Sequence, residues 1–418
     1  MLHRHPHDCR VLSLLEASIA RHAALGMILI LLCCFLAQPL LADSIPVYKN
    51  QLAPGPLANA VYEGIASLQK GDLKKAETSF FLALTMAPNE PHALALLAEV
   101  EMQRGNPANA QKYLQAAVEK NPKSAAAQEA MGRYLAWKKD DSGAEAAFQK
   151  SVQLDPKWVE SRLALGDFYF SRGKSAQALG TYREAIQADP SSGLAHLNLA
   201  VALASKGDTQ TAETELRNAI TLSPGVAKPH VALGNLLSVT GRDDAAIAEY
   251  QTALRMEPQN SGTYVLLGMA QKKKGHADLA EQAYRKALEI QPNDIVALNN
   301  LAWIAMQTPQ RRDEAITYAK KAVQAAPNMG QVVDTLGWAY HAKGENEPAI
   351  QTLKHGADLA PQDPRILYHL AVVYSEKGQA KEAEGALQKA LGLNKDFPES
   401  KDAKTRLAAM TKKSAASQ

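Results

Sequence analysis

Cysteine is nearly absent from this chain: Cys9, Cys33 and Cys34 are the only three in 418 residues, and all lie within the first 42. The long remainder therefore has no disulfide framework, no thiolate metal site and no cysteine nucleophile. Large aromatics are scarce too, with 7 Phe and 4 Trp against abundant alanine, which excludes an aromatic-cored β-sandwich and favours helices. An excess of either charge is missing: 46 Lys and Arg stand against 43 Asp and Glu, a net charge of +3. That balance argues against a nucleic-acid footprint, while 46% hydrophobic residues exclude a disordered chain. Long apolar runs are also lacking, with one exception.

The exception is residues 23–42, AALGMILILLCCFLAQPLLA, which carry no charge and follow Arg21 and His22. Pro39 ends the apolar stretch shortly before Ala42, the pattern of an export signal cut after that alanine. Twenty apolar residues also suffice to span a bilayer, so an uncleaved single-pass anchor is the alternative. Leu32 before Cys33, and Cys33 before Cys34, lack the small residue that a lipidation site needs. His3, His5 and His7 are read as part of a polar leader, not as a metal site.

What fills the rest is repetition. Pro88, Pro122, Pro156, Pro190, Pro224, Pro258 and Pro292 are spaced by 34 residues, followed after one inserted residue by Pro327 and Pro361. In the same frame the eighth position reads Gly64, Ala98, Gly132, Gly166, Ala200, Gly234, Gly268, Ala302, Gly337 and Ala371. The twentieth is alanine in all ten copies, from Ala76 to Ala383, and the twenty-seventh is Ala, Ser151 or Gly356. Two antiparallel helices approach closely only where the facing side chains are short, so this frame predicts ten tightly packed helix hairpins. Turn glycines at 71, 105, 173, 207, 241, 275, 344 and 378 separate the two helices, and each proline closes the second.

This frame of small residues, glycines and prolines resembles that of tetratricopeptide repeat (TPR) proteins, in ten copies from Leu57 to about Asn394. It departs from the pattern where Lys139 takes the place of the third turn glycine, where Pro309 and an extra residue lengthen the eighth turn, and where Lys395 replaces the last proline. The resemblance implies an all-α fold, a right-handed α-solenoid superhelix of ten TPR hairpins closed by a C-terminal cap helix. The expected order is a signal peptide or anchor at 1–42 and a linker at 43–56, then repeats at 57–90, 91–124, 125–158, 159–192, 193–226, 227–260, 261–294, 295–329, 330–363 and 364–395, and a cap and polar tail at 396–418.

No separate catalytic domain fits into this plan, so an enzyme is not expected, nor is a cofactor or metal. Gly173-Lys174-Ser175 resembles the end of a phosphate loop, but Phe168 occupies the place of the earlier glycine, which leaves a hairpin turn. Most of the seven histidines beyond the leader are read as surface or groove residues, not ligands, and Lys272-Lys273-Lys274 as a solvated helix end.

In TPR relatives, positions 2, 5, 9 and 12 of each first helix line the inner wall of the superhelix, where peptide segments bind. Carried onto this chain, they name Leu163, Asp167 and Phe170 in the fourth repeat, Val201 in the fifth, Asn235 in the sixth and Met269 in the seventh. The eighth supplies Asn299, Trp303 and Met306, the ninth Asp334, Trp338 and His341, and the tenth Tyr368. Trp303 and Trp338, at one place in adjacent repeats, are candidate anchors for a partner, or else pack against neighbouring helices. A carboxylate clamp is not expected, because Asn235 has Val231 where lysine belongs, and an asparagine ladder is absent beyond Asn198 and Asn300. The segments LNNLAW, VDTLGWAY and YHLAVVYSEKG are similar to the C-terminal repeats of bacterial envelope TPR proteins, including those accompanying exopolysaccharide export and PEP-CTERM sorting. The expected role is an exported scaffold that holds a protein or peptide in its concave groove, with no nucleic-acid partner and with membrane contact only through residues 23–42. A carbohydrate stacking on Phe170, Trp303, Trp338 and Tyr368 is the second class of ligand.

Overall fold

The protein was described from a computed structural model, which covers residues 52–416. The segment read as a signal peptide or anchor, residues 1–42, lies outside the described residues. Those residues contain 21 α-helices and no strand, in two compact units.

The N-terminal unit, residues 52–232, begins with α1 (Pro56–Gln69) and α2 (Leu73–Met86), then α3 (Pro91–Gln103) and α4 (Pro107–Lys120). It continues with α5 (Ala125–Trp137), α6 (Asp141–Leu154), α7 (Val159–Ser171), α8 (Ser175–Ala188), α9 (Gly193–Ser205) and α10 (Thr209–Leu222). The chain enters the C-terminal unit, residues 233–416, within α11 (Ala227–Val239), which is followed by α12 (Asp243–Met256), α13 (Ser261–Lys273) and α14 (Ala277–Ile290). Next come α15 (Ile295–Met306), a 3₁₀ turn at Pro309–Arg311, α16 (Arg312–Ala325), α17 (Gly330–Lys343) and α18 (Asn346–Leu359). The last helices are α19 (Pro364–Glu376), α20 (Ala380–Leu393) and the cap α21 (Ser400–Ala416). From α1 to α10 and from α12 to α21 each helix packs on the next in sequence, and α11 packs on α12 through Gly234 and Tyr250, so a second helix lies between its own first helix and that of the following repeat. This is the all-α TPR solenoid arrangement expected from the period.

The close approach at the eighth position has a specific cause. Gly64 lies under Phe80, Gly132 under Phe148, Gly166 under Tyr182, Gly234 under Tyr250 and Gly268 under Tyr284. In three repeats the glycine is an alanine, Ala98, Ala200 or Ala371, and the residue at the aromatic's place is Leu114, Leu216 or Leu387, all buried. The small side chain on the first helix is thus matched to the bulk on the second: glycine with an aromatic ring, alanine with leucine. Gly337 over Leu353 departs from the rule, as does the eighth repeat, where the inserted residue brings Ala319 to the place opposite Ala302.

The hairpin turns need a left-handed residue, and the eight glycines named above supply it with φ between 71° and 90°. Lys139 takes the same conformation at φ 63°, at the cost of a Cβ crowding its own backbone. Lys139→Gly is therefore expected to raise the stability by about 1 kcal/mol, read as a higher urea midpoint.

Ion pairs tie successive repeats together at one recurrent place. A cation at the end of a first helix reaches an acid near the start of the preceding second helix: Arg104 to Glu77, Arg172 to Asp141, Lys273 to Asp243, Lys274 to Asp244, Lys343 to Asp313 and Lys377 to Glu347. Each partner also sits at the helix end whose dipole favours its sign. Lys272-Lys273-Lys274 is accordingly not only a solvated helix end, because Lys273 and Lys274 cross-link two hairpins. A more heavily bonded acid near the start of a second helix is Glu281, which receives both Nη1 and Nη2 of Arg311, from the turn before α16, at 2.8 and 2.7 Å and also Arg285. Hydrogen bonds from Arg311 and Arg285 hold its carboxyl below the usual glutamate value, against the opposing effect of burial. A depressed folded pKa contributes stability that is present above the unfolded value near 4.3 and disappears as pH falls through the folded value. Glu281→Gln is expected to cost about 1 kcal/mol at pH 7 and to flatten the stability-pH curve below about pH 5, as followed by chemical denaturation.

Candidate functional site

The first helices of the C-terminal unit bring together the residues with the most binding chemistry. Trp338 of α17 stacks on His369 of α19, with ring centroids 4.3 Å apart and planes at 22°, and faces His341 on its own helix at 4.6 Å. Trp303 of α15 lies 6.3 Å from the same His369 ring and donates from Nε1 to Thr335 Oγ1 at 3.2 Å. His369 Nδ1 lies 2.8 and 3.0 Å from the two carboxylate oxygens of Asp334, and both side chains are buried. Trp303 and Trp338 stay partly exposed while packing on the core formed by Ala302, Ala305, Met306 and Ala339. They combine an inner, structural edge with an outer, available one.

Around this stack the expected wall residues divide. Asn299 is partly exposed, but its Oδ1 is buried and has no donor near it. His341 Nδ1 faces Asn346 at 3.3 Å and Glu376 at 3.7 Å. The Tyr368 hydroxyl donates to Asp402 of the cap at 2.8 Å, and burial together with that carboxylate pushes its pKa up to about 12. Met306 and Asp334 are covered, the first by the core and the second by its bond to His369, so neither presents a free side chain. Met269 is half-buried against the core of its hairpin, and Asn235 accepts from the Tyr250 hydroxyl at 2.8 Å.

In the N-terminal unit, Leu163 is a core residue with 4% exposure, not a wall residue, while Phe170 and Val201 remain partly exposed. Asp167 accepts from the Tyr182 hydroxyl at 2.6 Å and from Asn198 at 3.0 Å. A tyrosine beneath the glycine of the eighth position therefore reaches through to the ninth, which partly satisfies Asp167 and Asn235 from inside. In the seventh repeat the ninth position is Met269, and the Tyr284 hydroxyl is left without a partner.

Sequence reasoning missed two features. Three of the seven histidines are not surface residues: His92, His196 and His369 are buried, each against a carboxylate, Glu90, Glu215 and Asp334. Those carboxylates lie 2, 19 and 35 residues away in sequence, so no single spacing announces them. Nor were Glu99, Glu129 and Arg133 named, although positions 5 and 9 of the second and third repeats point to them. Burial raises the Glu99 carboxyl above its usual range, and Glu129 is paired with Arg133. Among the described residues no group of three His, Cys, Asp or Glu is placed to hold a metal, and no helix is long and apolar enough to cross a membrane.

Family models described as tetratricopeptide repeat match residues 67–134, 163–227, 227–260 and 261–396. The chain is a TPR protein. Its repeat scaffold is a protein-interaction fold. Low calcium response locus protein H of Yersinia pseudotuberculosis serotype I (strain IP32953) is 36% identical over 75 residues, which is 18% of this TPR chain and 45% of that relative. The chain thus spans less than half the length of that relative. Among solved structures, the APC/C hetero-tetramer Cut9-Hcn1 aligns at 15% identity over 88% of this chain and 98% of its own, with a TM-score of 0.46. MamA aligns at 30% identity over 39% and 95%, TM-score 0.35, and YrrB, titled a TPR protein with an unusual peptide-binding site, at 22% over 43% and 92%, TM-score 0.37.

Proposed function

We propose that this TPR protein is a non-enzymatic scaffold that seats a peptide segment of a protein partner on the first-helix face of residues 233–416. The observation that carries this reading is the pair Trp303 and Trp338, one repeat apart and partly exposed. Half-buried tryptophans held rigidly by stacking and hydrogen bonding add contact area at little further entropy cost. The setting we propose is an exported or envelope-associated assembly, of the kind that serves polysaccharide export or protein sorting. The uncharged residues 23–42 and the likeness of LNNLAW, VDTLGWAY and YHLAVVYSEKG to envelope TPR proteins support it.

The test is affinity capture from envelope extract with the parent chain beside a Trp303→Ala, Trp338→Ala variant whose melting curve keeps its cooperativity. One protein retained by the parent and lost with the variant is the expected result. Equal recovery by both removes the tryptophan face from consideration. The N-terminal residue of the mature protein, read by mass spectrometry, decides between cleavage after Ala42 and a retained anchor.

A further inference from the structure

The outer face of α2 differs from that of every other second helix in the array. Phe81, Leu82 and Met86 are 42%, 49% and 45% exposed and lie along one side of the helix. At the place of Phe81 the nine other repeats carry only glutamine, arginine or lysine, and at the place of Leu82 nothing apolar larger than alanine. Repetition makes this an internal control: nine other hairpins pack with a polar residue at the first place and a polar residue or Ala116 at the second, so folding does not require the apolar pair, whereas the place of Met86 is apolar in most repeats. Exposed apolar side chains grouped on a single helix face mark a surface that something covers.

Two features of the same end of the chain indicate the covering. Lys70, Lys74 and Lys75 are all exposed around the start of α2, where Asp72 is exposed too; Lys75 pairs with Glu63 and Glu77 is occupied by Arg104, so the margin of the patch keeps one cation in excess. Residues 43–55, only 13 long, separate the apolar segment 23–42 from α1. Fully extended they reach about 45 Å at most, which holds the first repeat close to any bilayer that the segment enters. An apolar stripe with lysines beside it is the chemistry of a helix lying in an anionic membrane interface.

We propose that the Phe81, Leu82 and Met86 face of α2 docks onto an anionic lipid bilayer, with residues 23–42 as the tether. The first repeat then lies against the membrane surface. This inference rests on the anchor reading of residues 23–42, so a mature N-terminus after Ala42 overturns it; it stands apart from the peptide-binding reading, which concerns residues 233–416, and each fails independently of the other.

The experiment uses the full chain made by peptidase-free cell-free synthesis in the presence of phosphatidylglycerol-containing vesicles, with Cys9, Cys33 and Cys34 replaced by alanine. An environment-sensitive fluorophore is attached in separate proteins at Leu82→Cys, at Met86→Cys and, at the place of Leu82 in the fourth repeat, at Glu184→Cys. The expected result is a blue-shifted emission, quenched by brominated acyl chains, at 82 and 86 and not at 184, with the quenching at 86 lost when Phe81→Gln is added. Equal emission and quenching at 82 and 184 overturn the proposal. A blue shift at 82 that grows with protein concentration and is insensitive to brominated lipid also overturns it, in favour of a second copy of the chain.

Discussion

Gly234→Ala is expected to destabilise the sixth hairpin by about 2 kcal/mol, even though alanine is the better helix former by about 1 kcal/mol. The added Cβ meets the Tyr250 ring at 2.5 Å, and Tyr250 is wholly buried with its hydroxyl bonded to Asn235, so the ring has no free volume to enter. Tyr250→Leu alone removes the ring and the hydrogen bond, and is expected to cost about 3 kcal/mol. The double variant installs the alanine and leucine pair found at Ala98 and Leu114, at Ala200 and Leu216, and at Ala371 and Leu387. Its cost is expected to fall short of the sum of the two by about 1.5 kcal/mol, measured as urea midpoints in a double-mutant cycle. Strict additivity sinks the matching rule, because it means that the two positions do not share one volume.

Asp334→Ala carries the second large effect, a loss of about 3 kcal/mol. It strips the carboxylate from a buried His369 that has both Trp338 and Trp303 around its ring, so a polar nitrogen is left unpaired in the aromatic stack. The expected signature is a lower melting midpoint together with a changed tryptophan emission, since two of the four tryptophans in the chain flank this histidine. A double variant with His369→Leu restores part of the loss, because an apolar side chain of similar bulk needs no partner. Unchanged emission in the single variant refutes the arrangement in which Asp334 orients the ring beneath Trp338.

Much of the scaffold was legible because a solenoid makes the same contact at the same sequence interval. The eighth position had to be small in every copy, and the observed partners, from Phe80 under Gly64 to Tyr284 under Gly268, give the steric reason. Lys139 was visible as a departure in the sequence, and its left-handed conformation follows from the turn that eight glycines make elsewhere. The site was less legible. A rule naming positions 5 and 9 cannot distinguish Asn299, whose amide oxygen lacks a donor, from Asp334, whose carboxylate is claimed by a residue of the next repeat. Leu163 and Met306 occupy wall positions in the frame and yet are buried in the core.

By itself the sequence determined the hairpin count, the turns, the cap and the small positions, because these depend on contacts within one repeat or to its immediate neighbour and recur with the period. Only the tertiary structure decided which of the candidate side chains are free. Tyr182 and Tyr250 reach through from beneath to Asp167 and Asn235, His369 reaches back to Asp334, and Asp402 of the cap takes the Tyr368 hydroxyl. Each of these bonds joins side chains on different helices whose pairing varies from repeat to repeat, and a periodic pattern carries no information about what does not repeat.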